Sequence, residues 1–295
     1  MALKWIAADI DGTILDSSSR LPSGNVTAIR QARDRGVEVV LVTGRRYGAA
    51  VWVAEALGLS SPLIVNNGAM IVCPTRSRRL ARWFLAPEIA TAILSATSDY
   101  THCTVLHKDR PAAGQMVVCS RPRTNGQLHH YLNKAPGVTV QVESLQSEID
   151  GDLIEIMFSG PLRVMEAVEG RLKESGFEQH VRVAKTYYRE KDLGLIDVLN
   201  KDCSKRSALD FLARSHGVRS TEIMAIGDNH SDLEMLEYAG VGVVMANGVA
   251  VLKNRGFYET ASNNDLGVAR AIGRFVFQKT VGCGSGSAPP RPSGG

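Results

Sequence analysis

The sequence predicts an α/β fold: a doubly wound parallel sheet interrupted by an inserted α+β domain. Three observations predict it. Short β-branched apolar runs alternate with amphipathic helical patterns at the start of the chain, and the same alternation returns near its end. Between the two stretches the rhythm changes, with strands following one another around only a few helical patterns.

The elements follow in order. "KWIAADI" is a buried strand that leaves the core on Asp9 and Asp11, two carboxylates an extended chain points to the same side. Gly12 lets the backbone turn sharply after them. Then come helix "PSGNVTAIRQARDRG", strand "VEVVLVTG", helix "RRYGAAVWVAEALGL" and strand "SPLIVNNG". The next stretch carries strands "CTVLHKD", "QMVVCS", "VTVQVE" and "LIEIMFSG" around helices "PEIATAILSATSDY" and "RVMEAVEGRLKESG". We read it as a separate domain inserted into the first, in preference to one continuous mixed sheet. The first rhythm resumes as helix "SKRSALDFLARSHG", strand "TEIMAIGD", helix "DLEMLEYAG", strand "VGVVMAN" and helix "GVARAIGRFVFQ". Residues 1–82 and 187–280 therefore form the core, 83–186 the insert, and 281–295 a tail of Gly, Ser and Pro with too little to bury to be ordered.

Composition narrows the class. The chain has 295 residues, 44% hydrophobic and 22% charged, which is that of an ordinary globular protein. A formal charge of +4, with no long basic run, argues against a nucleic-acid arm and leaves room for a small-anion site. The five cysteines include no CxxC pair, so neither a disulfide framework nor a zinc knuckle is expected, and reduced thiols point to the cytoplasm. No apolar run approaches the ~18 residues of a membrane helix. No nucleic-acid or membrane partner is expected, and the chain is expected to be a monomer or homodimer.

In a doubly wound sheet ligands sit beyond the carboxyl ends of the strands, and those ends carry the chemistry. The first has Asp9, Asp11, Gly12 and Thr13; the second Thr43, Gly44 and Arg45; the third Asn66, Asn67 and Gly68. A late strand ends "AIGDNHSDLEML", with Asp228 and Asp232 one helical turn apart, and Lys205 opens the helix before it. Singly these are common turns and solvated charges. Jointly, converging carboxylates repel one another and call for a counter-ion. Their all-oxygen set, without Cys or His, suits Mg2+ and not zinc. A threonine hydroxyl, a lysine ammonium and the amides of a Gly turn are the donors a phosphoryl group needs. Together they indicate phosphoryl transfer.

The motifs DxDGT, a hydrophobic strand ending in TGR, an isolated lysine and GDxxxD resemble those of the haloacid dehalogenase superfamily. "DRGVEVVLVTGRRY", "PLIVNNGAMI", and "GDNHSDLEML" followed by "NNDLGVARAI" are similar to its Cof-type phosphatase branch. The resemblance implies a Rossmann-like core with a type-two cap inserted after the third core strand, and a magnesium-dependent phosphomonoesterase acting on small, sugar-phosphate-like metabolites. It makes Asp9 the nucleophile that forms an aspartyl-phosphate and Asp11 the acid and then the base. Mg2+ would be held by Asp9, the main-chain carbonyl of Asp11 and Asp228, with Asp232 beside them. Thr43 and Lys205 would hold the phosphoryl oxygens, and Gly12, Gly44, Arg45 and Asn67 would contact substrate. Ser231 stands where the family usually has Asn, Arg206 where it has a small residue, and "MANGVA" replaces the usual "GNA". These departures touch substrate choice, not the reacting groups.

A phosphosugar mutase with the same core would need the insert to hold a bisphosphate. A non-catalytic phospho-acceptor or ligand-binding module is the rival from another class, and Asp11 argues against it, because an adjacent acid/base hastens loss of a stored acyl phosphate. His129 and His130 read as a surface helix, Trp83 as packing at the domain junction, and "RSRRLAR" as solvated surface. The loops "KDRPAAGQ", "SRPRTNG" and "KTYYREKD" are expected to select substrate.

Overall fold

The computed structural model describes residues 2–75, 78–111, 113–120, 126–133, 135 and 137–278; the tail 281–295, Cys283 and Arg121 and Arg123 of "SRPRTNG" lie outside them. In chain order the elements are β1 (Trp5–Ala8), α1 (Ser23–Asp34), β2 (Glu38–Leu41), α2 (Tyr47–Leu57), β3 (Leu63–Val65), β4 (Met70–Cys73) and β5 (Arg78–Arg82). The middle stretch holds α3 (Pro87–Ala96), β6 (Thr104–Lys108), β7 (Met116–Cys119), α4 (Gly126–Asn133), β8 (Thr139–Val142), β9 (Leu153–Gly160), α5 (Leu162–Glu174), β10 (Val181–Tyr188) and β11 (Leu193–Asn200). The chain continues with α6 (Lys205–Ser215), β12 (Ile223–Gly227), α7 (Leu233–Tyr238), β13 (Val241–Val244), α8 (Ala250–Lys253), β14 (Tyr258–Glu259) and α9 (Gly267–Ile272).

Two compact units result. The first takes in the described residues of Met1–Leu41, Glu55–Leu59 and Ala213–Gly295. Its sheet is parallel throughout, in the order β14-β13-β12-β1-β2. β1 is an interior strand, flanked by β12 and β2, and wholly buried, which is why its sequence is a continuous apolar run with no alternation. The chain goes from β1 to β2 on one side and returns at β12 on the other, so the strand order reverses between β1 and β12. A ligand site is expected at such a switch point. α1 buries Ala28, Ile29 and Ala32, one stripe of an amphipathic helix, and ends where Gly36 takes a left-handed φ of 80°.

The second unit comprises Val42–Ala54 and Ser60–Leu212. It holds an antiparallel ribbon, β3-β4-β5, and a six-stranded sheet in the order β10-β11-β9-β6-β7-β8, antiparallel except where β7 meets β8. Alternation along its strands makes two faces. One carries Leu106, Val117, Ile156, Phe158, Ile196 and Val198 into a core with Ile93 of α3 and Met165 of α5. The other packs Val105, Met116, Val118 and Met157 against Leu128 and Leu132 of α4.

Two expectations change. "KTYYREKD" is not a loop: Lys185–Tyr188 finish β10 and only Arg189–Lys191 turn. Thr and two Tyr are good strand formers, and pairing of Tyr188 with Leu193 carries them into the sheet. "RSRRLAR" likewise supplies strand β5, since Arg78–Arg82 pair with β4. Trp83 packs edge-on against Phe211 at 5.7 Å between ring centroids, both within the second unit. His129 and His130 lie on α4, with side chains outside the description. No helix among the described residues is long and apolar enough to cross a membrane.

Candidate active site

The first unit assembles its site at the ends of β1 and β12, which pair in parallel with Ala8 opposite Ile226. One residue beyond Ala8 stands Asp9, whose amide donates to the Ile226 carbonyl at 3.0 Å, and two residues beyond Ile226, past Gly227, stands Asp228. Carboxylate oxygens of Asp9, Asp228 and Asp232 lie within 4.8 Å of one another. Asp9 and Asp232 are buried, Asp228 partly so. Three carboxylate oxygens so close together are a donor set for a hard divalent cation, and neither His230, which lies between Asp228 and Asp232 in the chain, nor any Cys belongs to the group. The grouping does not include the Asp11 carboxylate, which is half-buried on the next turn.

Backbone constraints make this convergence possible. Gly12 has a left-handed φ of 75°, and a Cβ there would meet the Asp228 carboxylate, 2.7 Å from Cγ. Only glycine serves on both counts. Gly227 faces the same limit, since a Cβ would lie 2.6 Å from Asp232 Cγ. Asp232 is oriented by the chain it follows: its Oδ2 accepts from the amides of Asp228 and Asn229 at 3.0 and 2.9 Å. That bond pattern fixes the turn after β12 and spends one carboxylate oxygen on it. Thr13 is fully buried and donates its hydroxyl to Asp228 Oδ1 at 2.9 Å, orienting a prospective metal ligand.

Sequence reasoning missed three asparagines that hold the turn. Asn247 Nδ2 donates to the Gly12 carbonyl at 2.8 Å, Asn263 Nδ2 to Leu15 O at 2.9 Å and Asn25 Nδ2 to Ile14 O at 3.0 Å. Asn247 and Asn263 sit in "MANGVA" and "NNDLG", and Asn25 is a buried polar residue on the apolar stripe of α1. That last misfit was the available signal.

The second unit brings together Thr43, Gly44, Arg45 and Asn67. Thr43 is buried and anchored by its amide to Ile64 O at 2.9 Å, while Asn67 N donates to Thr43 O at 3.0 Å and Asn66 N to Arg45 O at 2.9 Å. Asn66 and Asn67 both have left-handed φ, 49° and 53°, which asparagine tolerates better than most residues. Arg45 Nη1 donates to the Ala49 carbonyl at 3.1 Å. Gly68, at φ 101°, lies so close to the Ser204 backbone that a Cβ would clash, 2.4 Å from its carbonyl carbon, which draws this turn to the start of α6 and Lys205. Lys205 is 3% exposed, not the solvated helix-opening charge a lone lysine usually is.

Further polar residues gather on the α4-facing side of the six-stranded sheet. Asn67 Nδ2 donates to Asp197 Oδ2 at 2.8 Å. Burial, and then the charge of Glu155, hold the Asp197 carboxyl well above the usual carboxylate range. Glu155 Oε1 lies 2.7 Å from His107 Nδ1 and accepts from Asn66 Nδ2 at 3.2 Å. In the "KDRPAAGQ" stretch, Lys108 and Arg110 pair with Asp150 and Asp152 at 2.8–3.3 Å and not with open space. Burial pushes the thiols of Cys103 and Cys203 up to about 12, so neither is poised as a nucleophile.

The model of the haloacid dehalogenase-like hydrolases matches residues 6–272. The chain belongs to that family. An HMP-PP phosphatase of Serratia proteamaculans is 30% identical over 248 residues, covering 84% of this chain and 85% of its own. A 5-amino-6-(5-phospho-D-ribitylamino)uracil phosphatase of Bacillus subtilis is 29% identical over 294 residues, 93% of this chain and 98% of the relative. A solved haloacid dehalogenase-like hydrolase of B. subtilis superposes with a TM-score of 0.78 at 24% identity, covering 93% of this chain and all of the other, and it bears on the fold alone. The protein is thus a haloacid dehalogenase-type hydrolase of the Cof branch, an enzyme of the phosphatase class.

Proposed function

We propose that this hydrolase is a magnesium-dependent phosphomonoesterase for small, sugar-phosphate-like metabolites, working through an aspartyl-phosphate on Asp9. The observation that carries the reading is the convergence of the Asp9, Asp228 and Asp232 carboxylates within 4.8 Å at the ends of neighbouring parallel strands. Both relatives described above are named for phosphorylated small molecules, which supports the substrate class.

Asp9, Asp228 and the Asp11 carbonyl are the proposed ligands of Mg2+, with Asp232 holding the turn that presents Asp228. When bound, the cation screens the repulsion between an anionic nucleophile and an anionic ester. The chain's own residues do the rest. An Asp9 carboxylate oxygen attacks phosphorus, the bond from phosphorus to the leaving oxygen breaks, and Asp11 delivers its proton to that oxygen. Asp11, now a carboxylate, takes a proton from water; the water oxygen attacks phosphorus, the bond to Asp9 breaks, and inorganic phosphate leaves. Thr43 and Lys205 are assigned to the phosphoryl oxygens, Gly12, Gly44, Arg45 and Asn67 to substrate contact, and residues 83–186 to choice of leaving group. A cytoplasmic location and a monomer or homodimer complete the reading.

The test is phosphate release from a panel of phosphorylated metabolites with and without Mg2+, together with acid-quench trapping of phosphoenzyme. Magnesium-dependent turnover with a label on Asp9 supports it. Turnover without any trapped label, or label on another residue, overturns the mechanism.

A further inference from the structure

The segment after β13 passes the ends of β12 and β1 and bonds to both. Met245 N donates to Gly227 O at 3.1 Å and Val249 N to Asp228 O at 2.9 Å, so its backbone follows the turn after β12. A Cβ on Gly248 would lie 3.3 Å from the Asp228 carbonyl oxygen, which shows how closely the two run. The Asn247 side chain reaches the other strand end, where Nδ2 donates to the Gly12 carbonyl at 2.8 Å. Its Oδ1 accepts from the Asn263 amide at 2.9 Å. Both ends of the carboxamide are engaged, so its donor is held toward Gly12. Asn263, 4% exposed, itself donates Nδ2 to Leu15 O at 2.9 Å, and the turn after β1 is thereby gripped at two carbonyls.

The turn needs such a grip at Gly12. Asp11 is extended at φ −80° and ψ 126°, and Gly12 switches at once to φ 75° and ψ −3°. Glycine has no side chain to confine the peptide planes on its two sides, and the plane before it carries the Asp11 carbonyl. Asn247 is exposed, and a hydrogen bond in contact with water adds little to stability. What it fixes is direction.

We propose that Asn247 is a positioning residue for proton delivery by Asp11: by holding the Gly12 carbonyl it aims the Asp11 carboxyl at the leaving oxygen. The inference rests on the phosphatase reading, in which Asp11 is the acid, and adds a residue to it. Asn247 exchanges no proton; the Asp11 proton goes to the leaving oxygen as the bond from phosphorus to that oxygen breaks. A general acid works within hydrogen-bond reach of its target, and a displacement of about 1 Å costs roughly 100-fold in rate. Thr13 has a different task, since its hydroxyl meets Asp228 Oδ1, a proposed metal ligand. The two residues therefore predict different readouts, leaving-group dependence for Asn247 and magnesium dependence for Thr13.

The experiment measures kcat/KM, which reports the first displacement, for alkyl phosphates and for p-nitrophenyl phosphate in wild type, Asn247→Ala, Asp11→Asn and the double variant. An alkoxide leaves only with a proton, whereas p-nitrophenolate is stable enough to leave without one. In Asn247→Ala the alkyl esters should lose roughly 10- to 100-fold and the aryl ester no more than about threefold, with the magnesium concentration for half-maximal activity unchanged. Asn247→Asp, which keeps the oxygen that accepts from Asn263 and loses only the donor, should show the same split. On the alkyl esters the double variant should be no slower than Asp11→Asn alone, because Asn247 acts through Asp11. Equal losses on all esters, no loss, or a double variant slowed by the product of the two single effects would overturn the proposal and leave Asn247 as an ordinary surface contact. If Asp11→Asn itself lowers every ester equally, Asp11 is not the acid, and the proposal falls with that role. Absence of phosphatase activity in wild type with Mg2+ would sink the phosphatase reading and the proposal with it.

Discussion

Each unit buries carboxylates, the first at strand ends and the second within strands, and the two units resolve the cost in opposite ways. In the first, Asp9, Asp228 and Asp232 converge until their oxygens lie within 4.8 Å, an arrangement that suits a cation at their common point. In the second, Asp197 and Glu155 are diagonal neighbours on one sheet face, where burial and the Glu155 charge raise the affinity of Asp197 for its proton while His107 and Asn66 partner Glu155. Convergent carboxylates suit a cation. A carboxyl whose proton is held by burial positions its neighbour, here Asn67. The same residue type therefore has different work according to whether its surroundings supply a proton or leave room for a metal.

The largest effect that sharpens this contrast is expected at Asp9. Asp9→Asn keeps the shape and removes the nucleophile and one ligand, so kcat should fall by roughly 10³-fold or more with the thermal transition preserved. A variant that retains measurable turnover would return Asp9 to a structural role. Asp11→Asn should lose roughly 10²- to 10⁴-fold in kcat while still binding substrate and Mg2+, as expected of an acid/base group. If its whole effect fell on KM, the residue has been given the wrong task.

Thr13→Ala comes next. Removing the hydroxyl that donates to Asp228 Oδ1 should raise the Mg2+ concentration for half-maximal activity by roughly 10- to 100-fold, with kcat at saturating Mg2+ less affected. An unchanged magnesium titration would mean that Thr13 merely fills the core. The smallest effect is expected at Asp197. Burial and the Glu155 charge raise its carboxyl above the ordinary 3.8 at which it ionises once unfolded, so the unfolded state gives up the proton first as pH rises. Its contribution is therefore complete below that value and is lost progressively toward the raised folded value. Asp197→Asn, neutral throughout, should flatten the fall in urea midpoint above about pH 4 and leave the variant more stable than wild type at neutral pH. Parallel midpoint curves for the two proteins would show that Asp197 is ionised in the fold.

How much was legible depended on whether the information was local. Asp9, Asp11, Gly12, Thr43 and Asp228 could be read because each is a polar or glycine break at the end of an apolar run, and period-two alternation and turn chemistry are properties of a few consecutive residues. The Asp9–Asp228 convergence followed from one further rule, that ligands gather where strand order reverses. Strand β10 was lost because "KTYYREKD" is polar and becomes sheet only by pairing with β11.

The sequence by itself determined the fold class, the strand-end motifs and the chemistry they support, because apolar periodicity and residue type are written along the chain. Tertiary structure alone decided which polar residues meet across long separations. Thr13 reaches Asp228 over 215 residues, Asn67 reaches Asp197 over 130, and Asn66 reaches Glu155 over 89. It also decided that the Asp197 carboxyl holds its proton more tightly than a free one, since burial and the nearness of another carboxylate are facts of packing. No local pattern encodes such partners: each is chosen by strand order and register, which are set by the burial of the whole sheet at once.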